Sequence, residues 1–223
     1  MKLRITGVRR LSQKKVEPKN TRISSLNCGS LRDKIEHIRK DDVMMISDVI
    51  CLSETGLWEE EDKSKLELNG FKSHHLTEGK GKGLSMYFNV SKFKHSNDVK
   101  TQKIQMIKLT GTNFDIIGVY KAPSGNDAEL RDLLKGLIEA GRSTLVCGDF
   151  NMRFIDNIKC RTTNFLIASK FNQLVSEATH LHGGHIDQVY LRSDDYVVAT
   201  ELHSPYYTAK DHDAICICLS ETE

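Results

Sequence analysis

Short apolar runs that read as strands recur along the whole chain, and only a few helical patterns separate them. TRISSLN (21–27), ISDVICLSE (46–54), GLSMYFN (83–89), IQMIKLT (104–110), FDIIGVYKA (114–122), STLVCGDFN (143–151), HIDQVYLRS (185–193), DYVVATELH (195–203) and AICICLS (214–220) either alternate apolar with polar residues or are apolar throughout. Helical spacing is predicted over 30–45, with Ser30 as N-cap. It is predicted again over 126–140, with Asn126 as N-cap and Gly141 as stop, and over 163–171. Gly111-Thr112-Asn113 marks a hairpin turn, and the residues between 89 and 104 read as a charged loop. Strands in this excess, without a strict βαβ rhythm, favour two sheets packed face to face with helices outside.

The same runs carry polar residues where they end. Asn27, Glu54, Tyr120, Asp149 and Asn151 close apolar strands, Asp187 sits inside one, and Asp211-His212 stands immediately before another. A carboxylate beside an apolar strand is costly to bury unless it is paired or binds a metal. Turn chemistry accounts for one such residue and not for so many. Rigid strand ends are also where open sheets place ligands. These groups suit phosphodiester hydrolysis. Glu54 and Asp211 are hard oxygen ligands for a divalent cation. Asp187 and His212 pair as a base held in one tautomer. Asp149 is the alternative proton acceptor, with Asn151 and Asn27 orienting the water and Tyr120 on the phosphate.

The order N27, S-E-T (53–55), G-V-Y-K-A-P (118–123), C-G-D-F-N (147–151), I-D-Q-V-Y (186–190) and K-D-H-D-A (210–214) resembles the endonuclease/exonuclease/phosphatase superfamily over residues 21–220. The resemblance implies an α/β DNase-I-like four-layer sandwich: two packed, mostly antiparallel sheets flanked by helices. It implies a metal-dependent phosphodiesterase site in which Glu54 is the main metal ligand with Asn27 close by, and Mg2+ is the ion, with Mn2+ as the alternative. By the same pattern Asp149 and Asn151 activate and orient the nucleophile. Asp187 and His212 form the Asp–His pair, Asp211 precedes that His, and Tyr120 faces the phosphate. Within the superfamily, SLNCGSLRDKIE, DVICLSETGL and EATHLHGGHIDQVYL look most like endonuclease domains of mobile elements, both LINE-type retrotransposons and Helitron-type transposons. Thr179 falls where these often have Thr.

Departures narrow the expectation. Gly29 replaces the acid that AP endonucleases usually carry two residues after the Asn, and THLHGGHI (179–186) lacks their pocket aromatics. Secreted DNases have His where Tyr120 stands. Inositol-polyphosphate 5-phosphatases need a Trp near the late Asp, whereas the one Trp here is Trp58.

Charge identifies the partner expected. Residues 1–22 carry Lys or Arg at 2, 4, 9, 10, 14, 15, 19 and 22 against Glu17 alone, although the whole chain is only +2. A basic arm at 1–20 (alternatively an extra edge strand) on a domain at 21–220 suits a polyanion, with DNA expected and RNA not excluded; a solvated tail or a nuclear-import patch is the alternative on charge alone. Lys80 and Lys82 in TEGKGKG (77–83) and Arg153, Lys159 and Arg161 beyond strand 143–151 are candidate substrate contacts, with ordinary turns as the alternative. His180, His182 and His185 read as facing solvent or DNA rather than as a zinc cluster.

No apolar run approaches the roughly 20 residues that span a bilayer, and no signal-peptide core is present, so no membrane partner and no secretion are expected. The six cysteines form no CxxC pair and read as reduced thiols, with a nuclear or intracellular location. The leading expectation is a DNA-nicking endonuclease, plausibly part of a larger polyprotein with further domains. A DNA end-processing phosphodiesterase or RNA 3′-exonuclease shares the chemistry. A catalytically inactive nucleic-acid-binding module is the reading from another class.

Overall fold

A computed structural model describes residues 20–152, 160–180, 184–193, 195–208 and 212–222. The basic arm up to residue 19 lies outside these residues, as do Arg153, Lys159, His182 and Asp211.

Two six-stranded sheets form the fold. With strands numbered in chain order, sheet one runs β11 (Tyr196–His203), β12 (Ala214–Glu221), β1 (Asn20–Asn27), β2 (Val49–Ser53), β4 (Leu84–Phe88), β3 (Lys72–Leu76). Sheet two runs β5 (Lys94–Lys100), β6 (Ile104–Thr110), β7 (Phe114–Lys121), β8 (Ser143–Asp149), β10 (Asp187–Arg192), β9 (Asn172–Gln173). The pairing sequence is the same in both. The central pair is parallel, β1 with β2 and β7 with β8, and every other pair is antiparallel. Each parallel pair needs a crossover, and the helices supply it: α1 (Leu31–Ile38) and α2 (Asp42–Met45) for the first, α3 (Asp127–Leu137) for the second.

Period-2 alternation divides the strands between layers. Ile23, Val49, Cys51, Ile107, Leu145, Cys147, Ile215 and Ile217 face inward between the sheets. Ile50, Leu52 and Leu26 face outward onto Leu31, Ile35 and Ile38 of α1. Val146, Ile117 and Tyr190 face outward onto Leu130 and Leu134 of α3 and Leu166 of α4 (Arg161–Ala168). This is the expected four-layer DNase-I-like sandwich. Cys216 and Cys218 alternate with the inward Ile215 and Ile217, and all six cysteines are free. Among the described residues, no helix is long and apolar enough to cross a membrane.

Three sequence expectations are corrected. The predicted helix over 30–45 is two helices. Asp41 takes an extended backbone and accepts from the amides of Val43 and Met44, which caps a new helix instead of continuing the old one. The charged loop after β4 contains β5, and β3 also went unpredicted. Both are edge strands, KHSNDVK and KSHHL, whose polar composition hides the alternation and discourages further pairing. Helix α3 ends at Leu137, before Gly141. Lys108 Nζ takes over the Leu137 carbonyl at 3.0 Å and turns the chain early. The Asn126 cap and the turn between β6 and β7 form as expected, with Gly111 N donating to Phe114 O.

Candidate active site

The C-terminal ends of the two parallel pairs meet across the sandwich. Asn27 ends β1 and Glu54 follows β2. Tyr120 lies next to last in β7 and Asp149 ends β8. Asp187, the first residue of β10, stands opposite Asp149 in register. His212 lies just before β12 and bridges to His180. Every expected catalytic position among the described residues therefore converges on one edge of the sandwich.

Local backbone geometry sets these side chains in place. Gly148 has φ +139°, and a Cβ there would lie 1.9 Å from the Val119 carbonyl oxygen, so only glycine lets β8 press against β7 at this point. Glu54 and Asn151 take the left-handed conformation at φ 52° and 48°. Two strained non-glycine residues at the ends of β2 and β8 mark a site over-determined by its surroundings.

Hydrogen bonds hold the carboxylates. Asp149 is 1% exposed. It accepts from Asn27 Nδ2 at 2.9 Å, from Asn151 N at 2.8 Å and from Asn151 Nδ2 at 3.0 Å. Asp187 Oδ2 accepts from Thr179 Oγ1 at 2.9 Å and pairs with His212 Nδ1 at 2.9 Å. That contact commits Nδ1 of His212 to the carboxylate and leaves Nε2 for chemistry. The Tyr120 hydroxyl donates to Gly81 O at 2.8 Å and so ties the 77–83 loop to the floor of the site.

The electrostatics follow from burial and crowding. Burial pushes the Asp149 carboxyl well up, and the charges of Asp187 and Glu54 push the same way, against the Asn151 amide and His212. Glu54 is raised by burial and by Asp187, with the Asn27 amide and His212 opposing. For His212, burial disfavours the charged form, but the hydrogen bond to Asp187 and the charges of Asp187, Asp149 and Glu54 outweigh it, and its pKa rises. Tyr120 is raised by burial, then by Glu54 and Asp149. Crowded, partly desolvated carboxylates that repel one another are the arrangement a dication relieves. The donors are oxygens, which suits a hard cation. Glu54 and Asn27 would hold it; Asp211 lies outside the described residues.

The proposed substrate contacts are placed less directly. Thr179 is buried against Asp187 and positions it. Lys80 is exposed on the 77–83 loop. Lys82 turns its ammonium to the Gln102 carbonyl at 3.2 Å, with Glu78 at 3.8 Å. Three residues enter the site region that the sequence reading did not assign to it. The His180 ring packs edge-on against His212 at 4.7 Å. Trp58, 53% exposed, lies against Gly79 of the same loop. Lys121 is buried beside Asp149, its pKa lowered by burial and partly restored by Asp149 and Asp127. The K in G-V-Y-K-A-P was the one available signal, since a lysine ending a buried strand needs an anionic neighbour.

Fold and site together define a phosphodiesterase-type hydrolase of DNase-I-like architecture. The chain belongs to the Endonuclease/Exonuclease/phosphatase family, whose model matches residues 24–208 and stops just short of His212. Comparison with curated proteins gives no match. Solved structures share the fold at low identity. The AP endonuclease LMAP from Leishmania major is 14% identical with a TM-score of 0.68, covering 99% of this chain and 93% of that one. The endonuclease domain of TRAS1, a telomere-specific non-LTR retrotransposon, is 11% identical with a TM-score of 0.68, covering 92% and 100%. The human Nocturnin catalytic domain with bound sulfate anion is 16% identical with a TM-score of 0.67, covering 92% and 94%.

Proposed function

We propose that this chain is a Mg2+-dependent endonuclease that nicks DNA, acting as the endonuclease domain of a mobile element. The observation that carries the reading is the pair of contacts crossing the sandwich, Asn27 to Asp149 and His212 to Asp187, which bring the candidate hydrolytic groups together at one edge. Asp149 takes the proton from the attacking water. Its raised pKa suits a proton acceptor, and Asn27 and Asn151 fix its orientation. His212, held protonated by Asp187, donates from Nε2 to the phosphate oxygens as negative charge builds there. Tyr120 positions the loop beside the scissile group. Glu54 and Asn27 would hold a cation, and the chemistry it would supply when bound is neutralisation of the non-bridging oxygens and of the leaving alkoxide.

The basic segment at 1–22 supports a nucleic-acid substrate through sequence-independent phosphate contacts. The likeness to the TRAS1 endonuclease domain supports the mobile-element context. A silent binding module has no use for an Asp–His pair and an amide-clamped Asp149, so the enzyme reading is the stronger.

Supercoiled plasmid tests the proposal. With Mg2+ the chain should yield open circles. EDTA, Asp149→Asn and His212→Ala should each abolish them, with the variants still folded by circular dichroism. A fall of about 100-fold or more is expected for each variant. Closed circles left intact while linear ends are trimmed would transfer the reading to an end-processing enzyme, and full activity in both variants would overturn the mechanism.

A further inference from the structure

The catalytic carboxylates are not the only grouping with metal-ligand chemistry. His74 of β3 and His95 and Asp98 of β5 bring one ligand atom each within 4.8 Å of one another. β4 separates β3 from the strand that leads to Glu54, and β6 separates β5 from the strand that carries Tyr120. The group therefore shares no residue and no strand with the catalytic centre.

We propose that His74, His95 and Asp98 form a Zn2+ site that pins edge strand β3 of sheet one to edge strand β5 of sheet two.

The three ligand atoms lie within reach of one ion once the rings adjust. Zinc bonds of about 2.0–2.2 Å place neighbouring ligand atoms of a tetrahedral site about 3.2–3.5 Å apart. His95 Nε2 lies 3.4 Å from Asp98 Oδ2. His74 Nε2 lies 2.7 Å from the same oxygen as a hydrogen bond, so an ion entering between them needs a movement of under 1 Å. The imidazoles stack at 3.8 Å between centroids and 17° between planes, so their in-plane lone pairs run nearly parallel, and one ring must turn before both Nε2 atoms bind the same ion. His95 Nε2 is shut off from solvent and has no hydrogen-bond partner, an uncompensated polar atom that a metal bond would satisfy. A cavity of about 380 Å³ lined by Ser73, His74, Phe93 and His95 lies beside the two imidazoles.

The chemistry selects the ion. Two imidazoles and one carboxylate favour Zn2+ over Mg2+ or Ca2+, which take oxygen ligands. Lys72 and Lys94 line the same cavity and repel any cation held by charge alone. Nitrogen coordination is the contribution that can offset this repulsion, and it favours Zn2+ over the Mg2+ expected at Glu54. An edge strand from each sheet would then be joined by metal bonds where polar strands supply little apolar packing.

The test uses the metal-free full chain titrated with Zn2+ by calorimetry, in parallel with His95→Gln, Asp98→Asn and, to detect binding at the catalytic carboxylates, Glu54→Gln. Wild type and Glu54→Gln should each bind about one zinc per chain with micromolar affinity or better, undisturbed by excess Mg2+. His95→Gln and Asp98→Asn should each bind at least roughly tenfold more weakly. Absence of binding in wild type, unchanged affinity in both site variants, or loss in Glu54→Gln overturns the proposal. Should the site variants not fold, the visible spectrum of wild type loaded with Co2+ decides: intense four-coordinate bands uphold the site, and the weak bands of an octahedral ion overturn it.

Discussion

At the scale of single residues, the site is a set of carboxylates made tolerable by donors from other strands. Asp187 does this for His212: it fixes the ring through Nδ1 and supplies both a hydrogen bond and a charge that favour the imidazolium. Removing that charge lowers the His212 pKa. In the mechanism proposed, the protonated ring is the active form, so nicking is lost as pH rises through its pKa. Asp187→Asn should therefore move the alkaline limb of the pH–rate profile to lower pH, by about one unit or more, and a profile that stays in place would remove His212 from that role. Most of this set was legible in the sequence because polar residues at strand ends break an apolar pattern. Asn27, Glu54, Asp149, Asn151, Asp187 and His212 stand out for that reason. Trp58, the packing of His180 on His212 and the role of the Gly81 carbonyl did not. They reach the site from loops whose approach depends on the tertiary fold, and no local pattern encodes it.

At the scale of elements, Asp41 shows how one side chain decides where a helix ends. It caps α2 through the Val43 and Met44 amides, and its other oxygen receives His203 Nε2 and the Tyr207 hydroxyl, each at 2.9 Å. Burial works to raise its pKa, and the bonds from His203 and Tyr207 outweigh it, so it falls below the ordinary 3.8. The hydrogen bond to Asp41 raises His203 above 6.5. The lowered acid stabilises the fold above about pH 4 and loses that contribution as pH falls through its folded value. The raised imidazole stabilises it fully below about pH 6.5 and loses that contribution as pH rises through its folded value. Asp41→Ala should thus cost about 2 kcal/mol in urea unfolding at pH 5.5 and less at pH 9. Equal costs at the two pH values would mean that capping alone matters. The broken helix and the edge strands β3 and β5 were illegible for a shared reason. Their residues satisfy partners distant in sequence, and the period of apolar residues records only what each element buries. The His74, His95 and Asp98 grouping was hidden likewise, since its ligands come from the outermost strands of different sheets.

At the scale of the whole molecule, the distance between the sheets sets the contacts of the candidate site. Gly118 lies on β7 facing sheet one, where a Cβ would stand 2.7 Å from Met86 Sδ and 2.9 Å from Cys51 Sγ. Gly118→Ala should cost about 1–3 kcal/mol. For a domain of this size that lowers Tm by about 2–4 °C per kcal/mol. Well below Tm, nicking should fall more than the folded fraction does, because the bonds between Asn27 and Asp149 and between His212 and Asp187 span the gap being widened. Activity that simply tracks the folded fraction would show that the site tolerates such widening.

Those spanning bonds also bear on how such a chain is made. Asp149 and Asp187 are synthesised before His212, and His212 becomes fixed only when β12 docks beside β1, which is made far earlier than β12. Until then Asp187 lacks its imidazole and no hydrolytic set exists. The candidate hydrolytic set of a nascent domain of this fold is thus incomplete until the sheet that holds β1 is closed by β12.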